Sequence, residues 1–233
     1  MSCATRGSAA SAVWAPKIAR AALHFYEEPP ISGKGGSGAV FFSGCSLGCI
    51  YCQNREISHG GFGVTVGEEE LARIYLRLAA EGAENINLVT PTHFVPSVIR
   101  SVAAARAAGL SLPVVYNTSS YETPETVDAL AGTVDVFLAD AKYHDATLAA
   151  EYSAVPDYPA VAWEAIGHMV EIAPKPVLDA RGMLTSGVVV RLLLLPGHVA
   201  NSCLALHRLY EAYGNRIIYS LMNQYTPPPD MPA

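Results

Sequence analysis

Three cysteines stand within eight residues of one another, in the run Phe41-Phe42-Ser43-Gly44-Cys45-Ser46-Leu47-Gly48-Cys49-Ile50-Tyr51-Cys52-Gln53-Asn54. Thiolates are soft ligands for iron and zinc. Three of them on one short loop can each take one iron of a cubane, which leaves the fourth iron without a protein ligand, unlike the four-cysteine sites used for electron transfer or structure. An open metal position invites a substrate or a cofactor. Zinc is the rival occupant, but it usually takes four ligands from two separated pairs. The chain has no second pair, although His59 is available as a fourth ligand. Gly44 and Gly48 are read as letting the backbone fold closely around a cluster. Of the other two cysteines, Cys3 is isolated and Cys203 is read as a small buried apolar residue of a helix.

The elements that must hold this loop follow from periodicity. Six short aliphatic or β-branched runs alternate with helical patterns, which is the signature of βα units around a parallel sheet. The runs are Val40 to Ser43, Ile86 to Thr90, Pro113 to Asn117, Val134 to Asp140, Val188 to Leu195 and Ile217 to Leu221, each read as buried on both faces. Helices are expected around Leu71, Ile74, Tyr75 and Leu78, with Thr65 and Glu68 at capping-box spacing and Gly82 as the stop. Others are expected from Pro96 to Gly109, from Thr123-Pro124, over Val161 to Ile172, and over Ser202 to Tyr213.

In such folds the loops leaving the carboxyl ends of the strands meet on one face. Those ends here are the cysteine loop, then Thr90-Pro91-Thr92-His93, Asn117-Thr118-Ser119, Asp140-Ala141-Lys142, the strand-five Arg191, and Asn223-Gln224-Tyr225. Chemistry is therefore expected at one place. His93 and Lys142 are the candidate catalytic residues. A lone histidine at a strand end is as often a satisfied polar group, whereas a lysine at a buried strand terminus needs a partner, and Asp140 is two residues away. His198 and Tyr225 are weaker candidates for the same face.

The Cys-x3-Cys-x2-Cys spacing, with an aromatic residue just before the last cysteine, resembles the radical S-adenosylmethionine superfamily. Ser43 to Asn54 and Glu27 to Gly33 are similar to proteins related to pyruvate formate-lyase activating enzyme, and the resemblance runs over most of residues 20 to 228. It implies an α/β fold, a partial (β/α)6 barrel with parallel strands. It also implies a [4Fe-4S] cluster on Cys45, Cys49 and Cys52, and S-adenosyl-L-methionine held at the open iron. Reductive cleavage to a 5′-deoxyadenosyl radical for hydrogen abstraction would be the activity, with glycyl-radical-enzyme activation as the analogy-based guess. Radical modification of a peptide or small metabolite is the alternative, and a non-catalytic iron–sulfur or zinc protein the rival from another class.

Residue by residue, the resemblance places Tyr51 beside the adenine and Thr90 and Thr92 where many members carry a Gly-Gly-Glu segment that grips the methionine amino group. Asn117 and Thr118 match an Asp-Thr-Asn segment, and Asp140 and Lys142 an Asp-x-Lys segment. Arg191 matches an arginine that pairs with the methionine carboxylate, a task suited to its planar fork. A reductant such as flavodoxin or ferredoxin, and a glycyl-radical protein, are the implied partners.

Composition bounds the rest. With 51% hydrophobic and 15% charged residues in 233, one domain with a large interior is expected. The net charge of -6 and the lack of a Lys/Arg cluster argue against a nucleic-acid partner. No run is long enough to span a bilayer, and an odd, clustered cysteine count points to a reducing, cytoplasmic setting. Residues 1–25 are read as an N-terminal extension, 26–226 as the radical SAM domain and 227–233 as a proline-rich tail. The Arg-, Ser- and Ala-rich, acid-free first twenty residues leave an organelle transit peptide open.

Overall fold

In the computed structural model, which describes residues 15–227, all six aliphatic runs are strands and all six are parallel. In chain order the elements are β1 (Lys17–His24), α1 (Pro29–Ser32), β2 (Ser37–Phe42), α2 (Arg55–Ser58), β3 (Val64–Thr65), α3 (Glu68–Ala80), β4 (Ile86–Val89), α4 (Val95–Ala107) and β5 (Val114–Thr118). They continue as α5 (Pro124–Asp128), β6 (Val136–Asp140), α6 (Ala146–Ser153), α7 (Tyr158–Ile172), β7 (Val177–Leu178), β8 (Leu184–Leu193), α8 (Val199–Tyr213) and β9 (Ile218–Met222). The parallel strands lie side by side in chain order, β2-β4-β5-β6-β8-β9. This is the partial (β/α)6 barrel that the alternation predicts.

Alternation along the strands sorts the side chains into two cores. Val40, Ile86, Leu88, Val114, Tyr116, Phe137, Ala139, Val188 and Val190 join the helices in the outer core. Val115, Val136, Leu138 and Val189 point the other way and pack with Ile31 of α1, which plugs the inside. Continuing the same alternation turns Asn87, Asn117, Asp140 and Arg191 inward, and register sets Asp140 directly beside Arg191. The interior is apolar at one end and charged at the other.

Helix starts and stops follow local chemistry with two corrections. Thr123 caps α5 by accepting from the Thr126 amide, and Asp145 caps α6 through the Thr147 and Leu148 amides. Thr65 does not cap α3, because it pairs with Lys17 in β3 and Gly67 occupies the cap position. Cys203 is exposed, not buried, since it falls on the outer side of α8. Three strands fall outside the six runs: β1 pairs antiparallel with β2, β3 with β1, and β7 with β8. β1 thus lies in the stretch read as an extension and is built into the sheet. Cys3 and the remainder of that stretch up to residue 14, with residues 228–233 of the tail, lie outside the described residues. No helix among the described residues is long and apolar enough to cross a membrane.

Candidate active site

Cys45, Cys49 and Cys52 line one cavity at the carboxyl ends of the parallel strands, together with Thr90, Asn117, Thr118, Asp140 and Lys142. Its volume is about 150 Å³, less than the roughly 300–1,000 Å³ typical of ligand pockets, and it opens to solvent. Four successive strand ends, those of β2, β4, β5 and β6, therefore contribute to one wall.

The cysteine loop is held from two sides. Gly44 has φ 98°, and a Cβ there would stand 3.2 Å from the His93 ring, so glycine is needed for the turn. Gly48 carries no such demand: an added Cβ would meet the Ser153 carbonyl at an ordinary 3.5 Å. The loop is instead tied to the end of α6, where the Gly48 amide donates to the Ser153 carbonyl at 3.1 Å and the Ile50 amide to the Tyr152 carbonyl at 2.9 Å. Each sulfur has one neighbour able to donate to it. The Leu47 amide lies 3.4 Å from Cys45 Sγ, the Ser153 hydroxyl 2.9 Å from Cys49 Sγ, and the Ser58 hydroxyl 3.5 Å from Cys52 Sγ. Burial pushes the Cys45 thiol up, which a bound metal reverses by taking the thiolate.

Those thiols fit a cubane. Three thiols lining one cavity, each beside its own donor, suit a group in which every thiolate takes its own iron. The zinc alternative needs His59, whose Nδ1 pairs with the Ser58 hydroxyl at 2.7 Å and whose ring faces a neighbouring cavity.

Beneath the cavity runs a buried charge network. Asp140 takes Lys142 Nζ at 2.6 Å on one oxygen and Arg191 Nε at 2.8 Å on the other. Arg191 also donates to Asn117 Oδ1 at 2.8 Å and reaches Glu27 Oε2 at 3.3 Å. The other Glu27 oxygen accepts from Asn87 at 3.1 Å and from Asn117 at 3.4 Å. Burial works to raise the Asp140 carboxyl, but Arg191 and Lys142 outweigh it and hold it below its ordinary value. Burial likewise opposes charge on Lys142, and Asp140 outweighs it, so the ammonium stays protonated. Glu27 is the weak member: burial raises its carboxyl despite Arg191. Two anions and two cations leave the network near neutral, as a buried set must be.

The predicted residues thus divide. Thr90, Asn117, Thr118, Asp140 and Lys142 line the cavity with the cysteines; Tyr51, Thr92, His93 and Arg191 do not. Thr90 holds φ 56°, a rare conformation for a β-branched residue. Thr92 and Thr118 give their hydroxyl hydrogens to Glu122 Oε1, both at 2.7 Å, and Tyr116 joins them at 3.1 Å. Their hydroxyls therefore serve the loop after β5. His93 is exposed on the turn behind Gly44 and lines the neighbouring cavity with His59 and Lys17. Arg191 lies behind Asp140 and Asn117, positioning both. Tyr51 packs beside the site in an aromatic cluster with Tyr143 and Tyr158 and edges against Tyr225. His198 is bonded to the Tyr152 hydroxyl at 2.8 Å.

Glu27, Glu122 and Ser153 are the site residues that sequence reasoning missed. Their roles depend on partners 30 to 164 positions away; an acid placed near apolar runs signals the two glutamates in one dimension, and nothing signals Ser153.

The model of the Radical SAM superfamily matches residues 39–173. Uncharacterized protein MJ0674 of Methanocaldococcus jannaschii is 30% identical over 131 residues, covering 52% of this chain and 38% of its own. Streptococcus suis SuiB superposes with a TM-score of 0.53 at 14% identity, over 82% of this chain and 40% of SuiB. HydG, a maturase of the [FeFe]-hydrogenase, gives 0.54 at 14% identity, over 78% of this chain and 41% of HydG. At that identity the likeness is one of fold. The chain spans about two fifths of the length of each of these proteins.

Proposed function

The chain belongs to the radical SAM superfamily, and from that premise we propose that it is an enzyme whose Cys45, Cys49 and Cys52 hold a [4Fe-4S] cluster and whose adjoining strand ends hold S-adenosyl-L-methionine. The observation that carries this reading is the single cavity shared by three thiols and the polar ends of the next three parallel strands. When bound, the two groups supply reductive cleavage of the sulfonium to a carbon-centred radical that abstracts hydrogen.

The protein's part is binding, orientation and exclusion of water. Lys142, held cationic by Asp140, offers ammonium hydrogens at the cavity wall for an anionic group. Asp140, held ionised, presents acceptor oxygens to an ammonium or hydroxyl there. Arg191 orients Asp140 and fixes the Asn117 amide, with its oxygen towards the guanidinium and its nitrogen towards Glu27. In this reading Arg191 is a positioning residue in the cofactor-free chain, and the strained Thr90 turns its segment towards the cavity. His93, behind the cysteine loop, is placed to serve a substrate in the neighbouring cavity.

Hydrogen abstraction from a protein glycine, as in glycyl-radical-enzyme activation, is the finer reading; the likeness of Ser43 to Asn54 and Glu27 to Gly33 to activase-related proteins supports it. A peptide or small metabolite is the alternative target. An electron donor of the flavodoxin or ferredoxin type and a reducing, cytoplasmic setting complete the proposal. The test is anaerobic reconstitution followed by incubation with S-adenosylmethionine and a low-potential reductant. Formation of 5′-deoxyadenosine and methionine is expected. No product from a fully loaded cluster refutes the activity.

A further inference from the structure

A line of buried hydroxyl groups ends on one of the three sulfurs. Cys49 Sγ lies 2.9 Å from Ser153 Oγ, Ser153 Oγ 2.7 Å from Tyr143 OH, and Tyr143 OH 2.7 Å from Tyr51 OH. Ser153 and Tyr143 are fully buried, and Tyr51 is 7% exposed. Each hydroxyl has one hydrogen to give. A metal-bound Cys49 is a thiolate with none, so Ser153 must donate to the sulfur. Tyr143 then donates to Ser153, and Tyr51 to Tyr143. The whole line is polarised towards Cys49. Both phenols keep their hydrogens for this at neutral pH, since a phenol ordinarily ionises only at pH ~10.

Among the described residues the other two sulfurs have no such line. Cys45 is met by a backbone amide at 3.4 Å, and Cys52 by a hydroxyl at 3.5 Å that is itself shared with His59. Ser153 is also fixed to the loop it serves, because its carbonyl accepts from the Gly48 amide. Hydrogen bonds to cluster sulfurs are one determinant of the reduction potential. They favour the more negatively charged reduced state, and hydroxyls donating in series strengthen one another.

We propose that Ser153, backed by Tyr143 and Tyr51, is a positioning residue that raises the reduction potential of the cluster through Cys49. The proposal rests on the cluster reading of the site. Its test is a redox titration of the anaerobically reconstituted full chain with titanium(III) citrate. One electron passes from that reductant to each cluster, and electron paramagnetic resonance reads the reduced fraction.

Ser153→Ala should make reduction about tenfold less favourable, a midpoint about 59 mV more negative for a one-electron couple. Tyr143→Phe, which removes the second hydroxyl of the line but leaves the Ser153–Cys49 contact in place, should shift it the same way by less. Ser153→Thr should stay near the wild type. Tyr75→Phe, in the outer core with its hydroxyl 3.3 Å from Ser101, should move nothing. A midpoint unmoved in fully loaded Ser153→Ala overturns this inference alone, as does lowered iron content with an unchanged midpoint in the loaded fraction. Should Ser153→Ala not fold, an unmoved midpoint in Tyr143→Phe overturns it equally. A wild-type chain that assembles no cluster overturns the parent reading and this one together.

Discussion

Replacing Asp140 by Asn separates the two halves of the buried network. Asp140 receives the two shortest charged contacts in the set, 2.6 Å from Lys142 and 2.8 Å from Arg191, whereas Glu27 meets Arg191 at 3.3 Å. The substituted amide would keep the volume but leave two cations facing one more distant carboxyl. Removing one partner of a buried ion pair typically costs about 3–5 kcal/mol. In a domain of this size each kcal/mol lowers the melting temperature by roughly 2–4 °C, so a fall on the order of 10 °C is expected. Glu27→Gln should cost only about 1 kcal/mol, the worth of one ordinary hydrogen bond. Adding Lys142→Met to Asp140→Asn removes one stranded cation and should recover part of the loss, a coupling of about 1 kcal/mol or more. The sign with pH follows from the depressed Asp140 carboxyl. Its contribution stands above the unfolded value of 3.8 and disappears as pH falls below it through the folded value, so wild type and Asp140→Asn should converge there. Anaerobic thermal unfolding followed by circular dichroism measures all four proteins. A fall of less than about 3 °C for Asp140→Asn, or an equal fall for Glu27→Gln, would show that Asp140 is not the anchor of the network.

Three further outcomes are expected. Glu122 is raised by burial, has three donors on Oε1, and leaves Oε2 buried without a partner; its ionised form therefore weakens the fold as pH rises above 4.5. Glu122→Gln should melt higher than wild type at pH 8 and level with it at pH 4, and a constant difference across that range would contradict this. Thr90→Gly should relieve the left-handed backbone and stabilise the chain by about 1 kcal/mol, while weakening S-adenosylmethionine binding in equilibrium dialysis; destabilisation would show that no strain is stored there. Cys45→Ser, Cys49→Ser and Cys52→Ser should each cut iron content of the reconstituted chain severalfold, whereas the exposed Cys203→Ser should not, and iron loss in the last would misplace the site.

The parallel sheet was legible because its strands are continuous aliphatic runs with helical patterns between them. Period alone cannot mark β1, β3 or β7: β1 reads Lys-Ile-Ala-Arg-Ala-Ala-Leu-His, and the other two are dipeptides whose strand state exists only through pairing. Thr65 shows tertiary pairing overriding a local capping signal. In the site, residues one or two positions from a strand end were found because the fold brings such ends together. Alternation turns Asp140 and Arg191 to the same side, but only the pairing register makes them neighbours, which neither residue reveals by itself. Thr92 and Thr118 have the expected donors, but a carboxylate from a loop claims their hydrogens. Ser153 sits at the end of α6, a helix without a strong apolar stripe, and its nearness to Cys49 is a product of packing across 104 residues.

The proposed cluster has four irons, one of them left open for S-adenosylmethionine. The most direct test is the electron paramagnetic resonance spectrum of the reduced, reconstituted chain recorded before and after that ligand is added. A cluster signal whose g values change on addition, lost when any one of Cys45, Cys49 or Cys52 is replaced, is the predicted result. A spectrum indifferent to the ligand, or zinc bound at these thiols with no iron, would contradict it.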